Sequence, residues 1–472
     1  MNTVRVRFAP SPTGFLHIGN VRTALFNYLF AKRMNGKLIL RIEDTDLERS
    51  KSEYREALIE DLLWMGIHWD EGPDTGGPYG PYQQSEKLNV YKEYVNQLIR
   101  AGKAYYCYVT EEEIEDMKRL ARAEHKPPRF DNRGRNFTKE EIEKRNVRGI
   151  KPTVRFKIEN PQLTMRDLVR GEVSFNLDEM VGDFVIQRAD GTPTFHLAVC
   201  VDDGLMNITH VIRGEDHLSN TPKHILLLKA MGFEPPQYGH LSLIHGPGGE
   251  PLSKRFESVS VREFRKRGYL PHGLANYIAL LGWSSGDNRE IFSWQDLQRE
   301  FRLDQVNKSA SIYDPHKLDW VNGQHLRLLS DEDFSKHALA YLKAQKLVNY
   351  DETLIHKVLP IFKDNIDRFG ELPERLEFLD EHFSYESPRL LQNKEVFKAA
   401  IEILPMLRGE GETLYDAFVA AIKPKVKVKG KDLFMPIRMA LTGKEHGPEL
   451  KRVFPMLGLE SVRKRFERAL NS

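Results

Sequence analysis

Two short segments hold residue types that can handle a polyphosphate. The first, His17-Ile18-Gly19-Asn20, stands where a Pro- and Gly-rich stretch, Ala9-Pro10-Ser11-Pro12-Thr13-Gly14, gives way to a helical pattern. A helix N-terminus presents unpaired N–H groups and the positive end of its dipole, and both suit phosphate. Gly19 permits close backbone approach, and the His17 imidazole is a donor for a phosphate oxygen. The second, Leu252-Ser253-Lys254-Arg255, follows Gly246-Pro247-Gly248-Gly249, a glycine-rich turn able to carry a lysine charge to the same phosphates. Neither means much alone. A histidine beside a helix start is usually a cap, and a lysine after a turn is usually solvated.

The elements that must position these segments are legible around them. Val4, Val6 and Phe8 alternate as a strand, and Val21, Ala24, Leu25, Tyr28 and Leu29 form the apolar stripe of a helix over 21–34. Asn35-Gly36 ends that helix, and residues 37–42 read as the next strand. Strand, helix and strand make a βαβ unit, the start of a parallel α/β domain. Further on, Asp190-Gly191 separates Phe184-Val185-Ile186 from the apolar run 195–201, which predicts a hairpin or strand return. Residues 209–214 read as a buried strand and 221–231 as a helix with Leu226, Leu227, Leu228 and Met231 in its core. After about residue 329 strands become scarce. The expectation is a split α/β domain, a segment inserted inside it, and an all-helical C-terminal part.

At 472 residues the chain exceeds what one hydrophobic core organises, which predicts three or four domains. Its 40% hydrophobic and 29% charged residues describe a soluble globular protein, and no run approaches the roughly 18 apolar residues of a membrane span. No signal or transit segment precedes the first alternation, so a cytoplasmic protein is expected, or an organellar one if a presequence was removed. Two cysteines, Cys107 and Cys200, cannot build a disulfide framework and are expected to be reduced. The formal net charge of +2 says little, but basic residues crowd 118–135, alternate over 423–431 and recur over 451–468. Any one such patch is as well explained by a solvated surface. Three together favour one extended anionic partner.

Residues 9–20 (A-P-S-P-T-G-F-L-H-I-G-N), 41–46 (R-I-E-D-T-D), 211–217 (V-I-R-G-E-D-H) and the later L-S-K-R, in this order and spacing, resemble the glutamyl-tRNA synthetases, class I aminoacyl-tRNA synthetases of bacterial or organellar type. Gly268-Tyr269-Leu270-Pro271, Leu280-Leu281-Gly282-Trp283 and the stretch 431–443 extend the resemblance over nearly the whole chain. It implies a split Rossmann-type catalytic domain (1–84 and 186–233), an inserted α+β acceptor-binding domain (85–185), a signature-loop and stem-contact domain (234–328) and a helical anticodon-binding domain (329–472). The implied reaction is activation of glutamate by ATP with Mg2+, then transfer to the terminal adenosine of tRNA. Family members generally need bound tRNA before activation proceeds. The resemblance puts His17 and Lys254 on the ATP phosphates as catalytic groups, with Gly19, Asn20, Glu215, Ser253 and Arg255 also binding ATP. It assigns glutamate to Arg7, Ala9, Ser11, Glu43, Phe195 and Arg213: guanidinium forks for carboxylates and Glu43 for the ammonium. Arg129, Arg133, Arg135, Trp320, Arg327, Arg438 and Lys451 are the residues expected to contact tRNA.

Three departures qualify the match. Some relatives bind zinc in the insert, but here Cys107-Tyr108-Val109 and Gly134-Arg135-Asn136 leave one ligand where structural zinc wants four, so none is expected. Phe256-Glu257 follows the signature lysine where many relatives have His-Gly, bringing a negative charge toward the phosphate path. Phe195 stands where relatives often have Tyr. A glutaminyl enzyme would need an amide-reading pocket and a more acidic phrase in place of P-S-P-T-G. A tRNA-modifying paralogue would lack residues 330–472, and a tRNA binder without chemistry would be the reading if the altered loop were inactive. The implied partners are tRNA(Glu), joined in non-discriminating enzymes by tRNA(Gln) and an amidotransferase; a monomer is the family default.

Overall fold

The computed structural model describes residues 3–46, 49–250, 252, 259–346, 352–380 and 382–472. It divides into two compact units, Met1–Glu263 with Ala275–Asp314, and Phe264–Leu274 with Pro315–Ser472.

The first unit is built on a four-stranded parallel sheet. Its elements begin with β1 (Arg5–Phe8), α1 (Ile18–Arg33) and β2 (Lys37–Leu40), the βαβ unit expected from the alternation and the stripe. Parallel strands covered on both faces must be buried throughout, and all four residues of β1 are. That burial includes Arg5 and Arg7, which the strand period puts on the face opposite Val6 and Phe8. Buried guanidinium groups need anions, and Arg5 forms a two-bond pair with Glu71 at 2.7 and 3.0 Å.

The chain then leaves the sheet. It makes α2 (Ser52–Trp64), α3 (Leu88–Arg100), β3 (Ala104–Cys107), α4 (Glu111–Ala123), α5 (Lys139–Val147), β4 (Thr153–Phe156), β5 (Gln162–Asp167), β6 (Gly171–Asn176), α6 (Leu177–Met180) and β7 (Phe184–Gln187). Here β3, β4 and β7 form an antiparallel sheet in the order β3-β4-β7, and β5 and β6 form a separate hairpin. Thr110 and Thr138 each close a capping box, with Glu113 and Glu141, at the starts of α4 and α5.

It returns through α7 (Phe195–Leu205), β8 (His210–Gly214), α8 (Thr221–Ala230) and β9 (Gln237–Leu241). The sheet order is β2-β1-β8-β9, all parallel. The parallel sheet thus takes two strands from before the segment 52–187 and two from after it. One reading fails. The run 195–201, taken as a strand, is the first two turns of α7. Residues Leu197 to Asp203 are all buried, so this helix shows no polar face, and a short apolar run without a stripe cannot be told from a strand by periodicity. The turn before it is correct: Gly191 has a φ of 89°, and Asp190 accepts from the Thr192 N–H at 2.8 Å.

A buried charge cluster ties β1, β2 and the insert to α7. Arg41, with no exposed side-chain surface, reaches Asp203 at 2.7 Å, Glu43 at 2.9 Å and Asp202 at 3.7 Å. Asp203 also receives Arg7 at 3.2 Å, and Asp202 pairs with Lys87 and accepts from Tyr91 at 3.0 Å and Gln84 at 2.9 Å. Arg7, Arg41 and Lys87 thus balance Asp202, Asp203 and Glu43. Burial would raise the Asp203 carboxyl, yet Arg7 and Arg41 together hold it below the ordinary range.

The second unit is helical, with no strand among its described residues. Its principal helices are Pro315–Leu328, Asp331–Ala344, Lys394–Ile403, Gly411–Ile422, Lys431–Thr442 and Leu450–Asn471, the last interrupted at Gly458 with a φ of 74°. One core gathers around Phe334, Phe362 and Phe369, another around Phe397, Phe418, Phe454 and Phe466.

Candidate active site

In an open parallel sheet, ligands sit beyond the C-terminal ends of the strands, where the strand order changes direction. Here that point lies between β1 and β8, because β2 lies outside one and β9 outside the other. A cavity of about 470 Å³ occupies it. Nine residues singled out by sequence line it together: Arg7, Ala9, Ser11, His17, Gly19, Asn20, Glu43, Phe195 and Arg213.

His17 is the N-cap of α1. Its Nδ1 accepts the Gly19 N–H at 3.2 Å, which leaves the ring proton on Nε2 as a donor. The first turn of α1 holds no acidic residue, so its dipole is not neutralised locally. Gly19 earns its position sterically, since a Cβ there would lie 3.1 Å from the His17 ring.

The opposite wall is charged. Arg7 holds Asp203 through Nε, and neither of its terminal nitrogens has a hydrogen bond among the described residues. Arg213 is only 6% exposed, and among the described residues no carboxylate is bonded to it. Its Nε donates to His240 Nε2 at 3.3 Å, Nη1 meets His224 Nδ1 at 3.3 Å, and Nη2 donates to Thr221 Oγ1 at 2.7 Å. The guanidinium also lies over the Tyr238 ring at 5.4 Å. Burial pushes its pKa down to about 10, so it stays charged at neutral pH. Burial, aided by Arg213, also drives His224 well below its ordinary value. Burial, then Lys223 and Arg213, brings His196, which meets His224 at 3.1 Å, to about 4. Both imidazoles are neutral.

Other expected residues fall elsewhere. Glu215, expected at ATP, is ion-paired with Arg170 and accepts the Leu243 N–H at 2.9 Å. Ser253, Lys254, Arg255, Phe256 and Glu257 lie outside the described residues, although Leu252, next to them, lines the cavity. In the insert, Arg129 bonds the Asp178 carbonyl, Arg133 pairs with Asp131 and Arg135 with Asp183. In the second unit, Trp320 is 40% exposed beneath Lys317, and Arg327 pairs with Asp367 at 3.1 Å. Arg438 donates to the Pro448 carbonyl at 2.8 Å, and Lys451 pairs with Asp416 at 3.1 Å.

Sequence reasoning missed Val199, His217 and Arg22, all on the cavity wall. Val199 is one helical turn beyond Phe195, so reading 195–205 as a helix would have found it. His217 lies tilted against Phe195, with ring centroids 5.6 Å apart. Arg22 is held by the carbonyls of Leu281, at 2.9 Å, and Ser242. A second cavity of about 470 Å³ adjoins through Phe195 and is lined by Lys118, Arg129, Arg155, Arg188, Lys223 and Phe130 among others.

The family model described as tRNA synthetases class I (E and Q), catalytic domain, matches residues 3–320, and an anticodon binding domain model matches residues 333–470. The interrupted parallel sheet with its cavity at the switch point is accordingly that of a class I aminoacyl-tRNA synthetase. The glutamate–tRNA ligase of Sulfurihydrogenibium sp. (strain YO3AOP1) is 45% identical over 478 residues, covering 99% of each chain. Glutamate–tRNA ligase 1 of Caldicellulosiruptor saccharolyticus is 45% identical over 98% of each. The crystal structure of the glutamate-tRNA synthetase from Elizabethkingia anophelis superimposes with a TM-score of 0.88 at 33% identity, over 100% of both chains. The chain belongs to the glutamate–tRNA ligase family.

Burial holds the Glu43 carboxyl above the ordinary glutamate value, because its partner Arg41 is shared with Asp203 and Asp202. If Glu43 meets the substrate ammonium, as the family resemblance implies, the group must be ionised. As pH falls through the raised value the carboxylate is protonated, and the KM for the amino acid rises at a higher pH than an exposed glutamate would produce. Glu43→Gln removes that acid limb and holds KM, at neutral pH as well, near the raised level that the native protein reaches only in acid. A flat KM across the acid range in the native protein would contradict the assignment.

Proposed function

We propose that this cavity makes glutamyl-adenylate from glutamate and ATP and delivers the glutamyl group to the 3′-terminal adenosine of tRNA(Glu). One observation carries the reading: a single cavity joins two buried guanidinium groups and a buried carboxylate to the N-terminus of α1. That set complements an amino acid with two carboxylates and one ammonium, lying end-on to a polyphosphate.

In the first step an oxygen of the glutamate α-carboxylate attacks the α-phosphorus, and the bond to the β-phosphate bridging oxygen breaks. Arg7 and Arg213 bind carboxylate and Glu43 faces the ammonium, with Ala9, Ser11 and Phe195 shaping the pocket between them. His17 Nε2–H and the Asn20 N–H receive charge that develops on the phosphates, while Gly19, whose own N–H is taken by His17 Nδ1, leaves room for ATP to approach. Lys254 supplies a second cation from the signature loop, flanked by Ser253 and Arg255. Glu215, tied to Arg170 just beyond β8, remains a proposed ATP-binding residue. In the second step the terminal ribose 2′-hydroxyl takes the acyl group and AMP leaves.

Among the described residues no group of three or more His, Cys, Asp or Glu side chains could hold a metal ion. This fits Mg2+ arriving on the ATP phosphates, since that ion keeps water and phosphate oxygens and asks little of the protein. There it would neutralise the leaving pyrophosphate.

The second cavity, with its five cations, suits the incoming acceptor end, and residues 85–185 are read as the acceptor-binding insert. Residues 234–328 are read as the stem-contact part and 329–472 as the anticodon-binding part. Arg129, Arg133, Trp320, Arg327, Arg438 and Lys451 remain the proposed tRNA contacts, and Arg135, paired with Asp183, shapes that surface from below. No helix among the described residues is long and apolar enough to cross a membrane, and a cytoplasmic location is proposed.

The region that carries zinc in some relatives is packed instead. Cys107, 1% exposed, lies in a small apolar cluster with Val109, Met117 and Phe130, and a Cβ on Gly134 would sit 2.5 Å from its sulfur. We propose that no structural zinc binds there. Metal analysis of the purified protein is expected to find zinc far below one equivalent, and a stoichiometric, chelator-resistant ion would refute this.

The test of function is glutamate charging of separate tRNA(Glu) and tRNA(Gln) transcripts, with Lys254→Ala as control. Charging of tRNA(Glu) is expected, reduced roughly 100- to 1000-fold in the variant while tRNA is still bound. Charging of tRNA(Gln) as well would mark a non-discriminating enzyme whose product needs an amidotransferase. Binding without charging of either would overturn the reading in favour of a tRNA binder.

A further inference from the structure

The orientation of Arg213 is set by groups that do not line the cavity. Its Nε–H can donate to His240 only if His240 Nε2 carries a lone pair, which requires the ring proton to sit on Nδ1. Asp167 enforces that tautomer: its Oδ2 lies 2.6 Å from His240 Nδ1, and both side chains are fully buried. Thr221 closes the arrangement by donating to His240 Nε2 at 2.9 Å while accepting Arg213 Nη2 at 2.7 Å.

Asp167 is itself immobilised. Its Oδ1 accepts the backbone N–H groups of Val169 at 2.9 Å, Arg170 at 2.8 Å and His240 at 3.2 Å. It ends β5, so it belongs to the inserted hairpin and not to the parallel sheet. The hairpin turn is pinned to β9 by the Leu168 N–H bond to the Tyr238 carbonyl at 2.8 Å. A carboxylate from the insertion therefore fixes the tautomer of a sheet histidine lying against the arginine.

We infer that Asp167 and His240 are positioning residues, which hold the Arg213 guanidinium at the angle where it meets the substrate carboxylate. The inference rests on the role given to Arg213 under the proposed function. His240 serves as a neutral acceptor: an apolar residue in its place leaves the Arg213 Nε–H and Asp167 Oδ2 unsatisfied. Reversal of its tautomer sets Nε2–H against Arg213 Nε–H.

Steady-state aminoacylation separates this role from a packing role. Asp167→Asn keeps an oxygen for the three backbone N–H groups but turns an amide donor toward Nδ1, and so reverses the tautomer. His240→Leu removes the acceptor, while His240→Gln can return one near Nε2. Asp167→Asn and His240→Leu are expected to raise the glutamate KM about 10- to 100-fold, with the ATP KM changed less than about twofold. His240→Gln should recover most of the loss. If His240→Leu does not fold, Asp167→Asn and His240→Gln carry the test. Arg213→Lys is measured alongside and should raise the glutamate KM.

An unchanged glutamate KM in Asp167→Asn, with Arg213→Lys impaired, overturns the inference and leaves the substrate reading intact. An unchanged KM in Arg213→Lys overturns both. A common rise of the glutamate and ATP KM values, a loss confined to kcat, or no recovery in His240→Gln would show that the pair only supports packing.

Discussion

A guanidinium taken out of water keeps its charge, and among the described residues no carboxylate is bonded to Arg213, with Asp203 acting on it only from a distance. Leaving such a charge buried and unpaired would cost several kcal/mol, about 3–5 by comparison with broken buried pairs. The arginines deeper in the domain do not face this problem: Arg41 has three carboxylates around it and Arg7 has Asp203. Arg213 has imidazoles, a hydroxyl and a carbonyl. Its neighbours satisfy its N–H groups without neutralising it, so the charge remains for a ligand. Arg22, bonded to two carbonyls, adds to the same positive field.

The fold exists in large part to keep that arrangement dry and oriented. Arg7 reaches the cavity from β1 and Arg213 from β8, two strands paired at the switch point. The insertion supports the pocket from behind its wall and does not line it. It supplies Asp167 at the end of β5 and leads into α7, which brings Phe195 and Val199 to the wall one turn apart. At the other end of the cavity, where the phosphates are proposed to lie, the first groups offered are the backbone N–H groups and the cap residue of α1. The cavity therefore joins a preorganised ionic pole to a preorganised dipolar pole.

Much of this was legible before the structure. The β1-α1-β2 unit follows from a clean change of period at the Pro- and Gly-rich loop, and nine motif residues converge on one cavity because each sits at a strand end or helix start. What periodicity could not reach was α7, where burial on every side erases the stripe. With the helix misread as a strand, Val199 was lost and so was the pair Asp202-Asp203. Those two carboxylates are the counter-charges of Arg7, Arg41 and Lys87, yet in sequence they look like any exposed acidic pair. The ion pair of Glu215 with Arg170 of the hairpin joins residues 45 apart and was likewise outside any local pattern. The Asp167–His240 contact joins residues 73 apart, which no local pattern encodes.

If the uncompensated charge of Arg213 is what defines the site, it must discriminate against a substrate that differs from glutamate only by loss of charge. The direct measurement is kcat/KM for glutamate and for glutamine in tRNA-dependent pyrophosphate exchange with the unmodified enzyme. A glutamine amide offers no anion to the guanidinium and sets N–H donors against it, so a preference for glutamate of roughly 10,000-fold is predicted. Values for the two amino acids within about tenfold of each other would be no more than a hydrophobic pocket achieves, and would contradict the account.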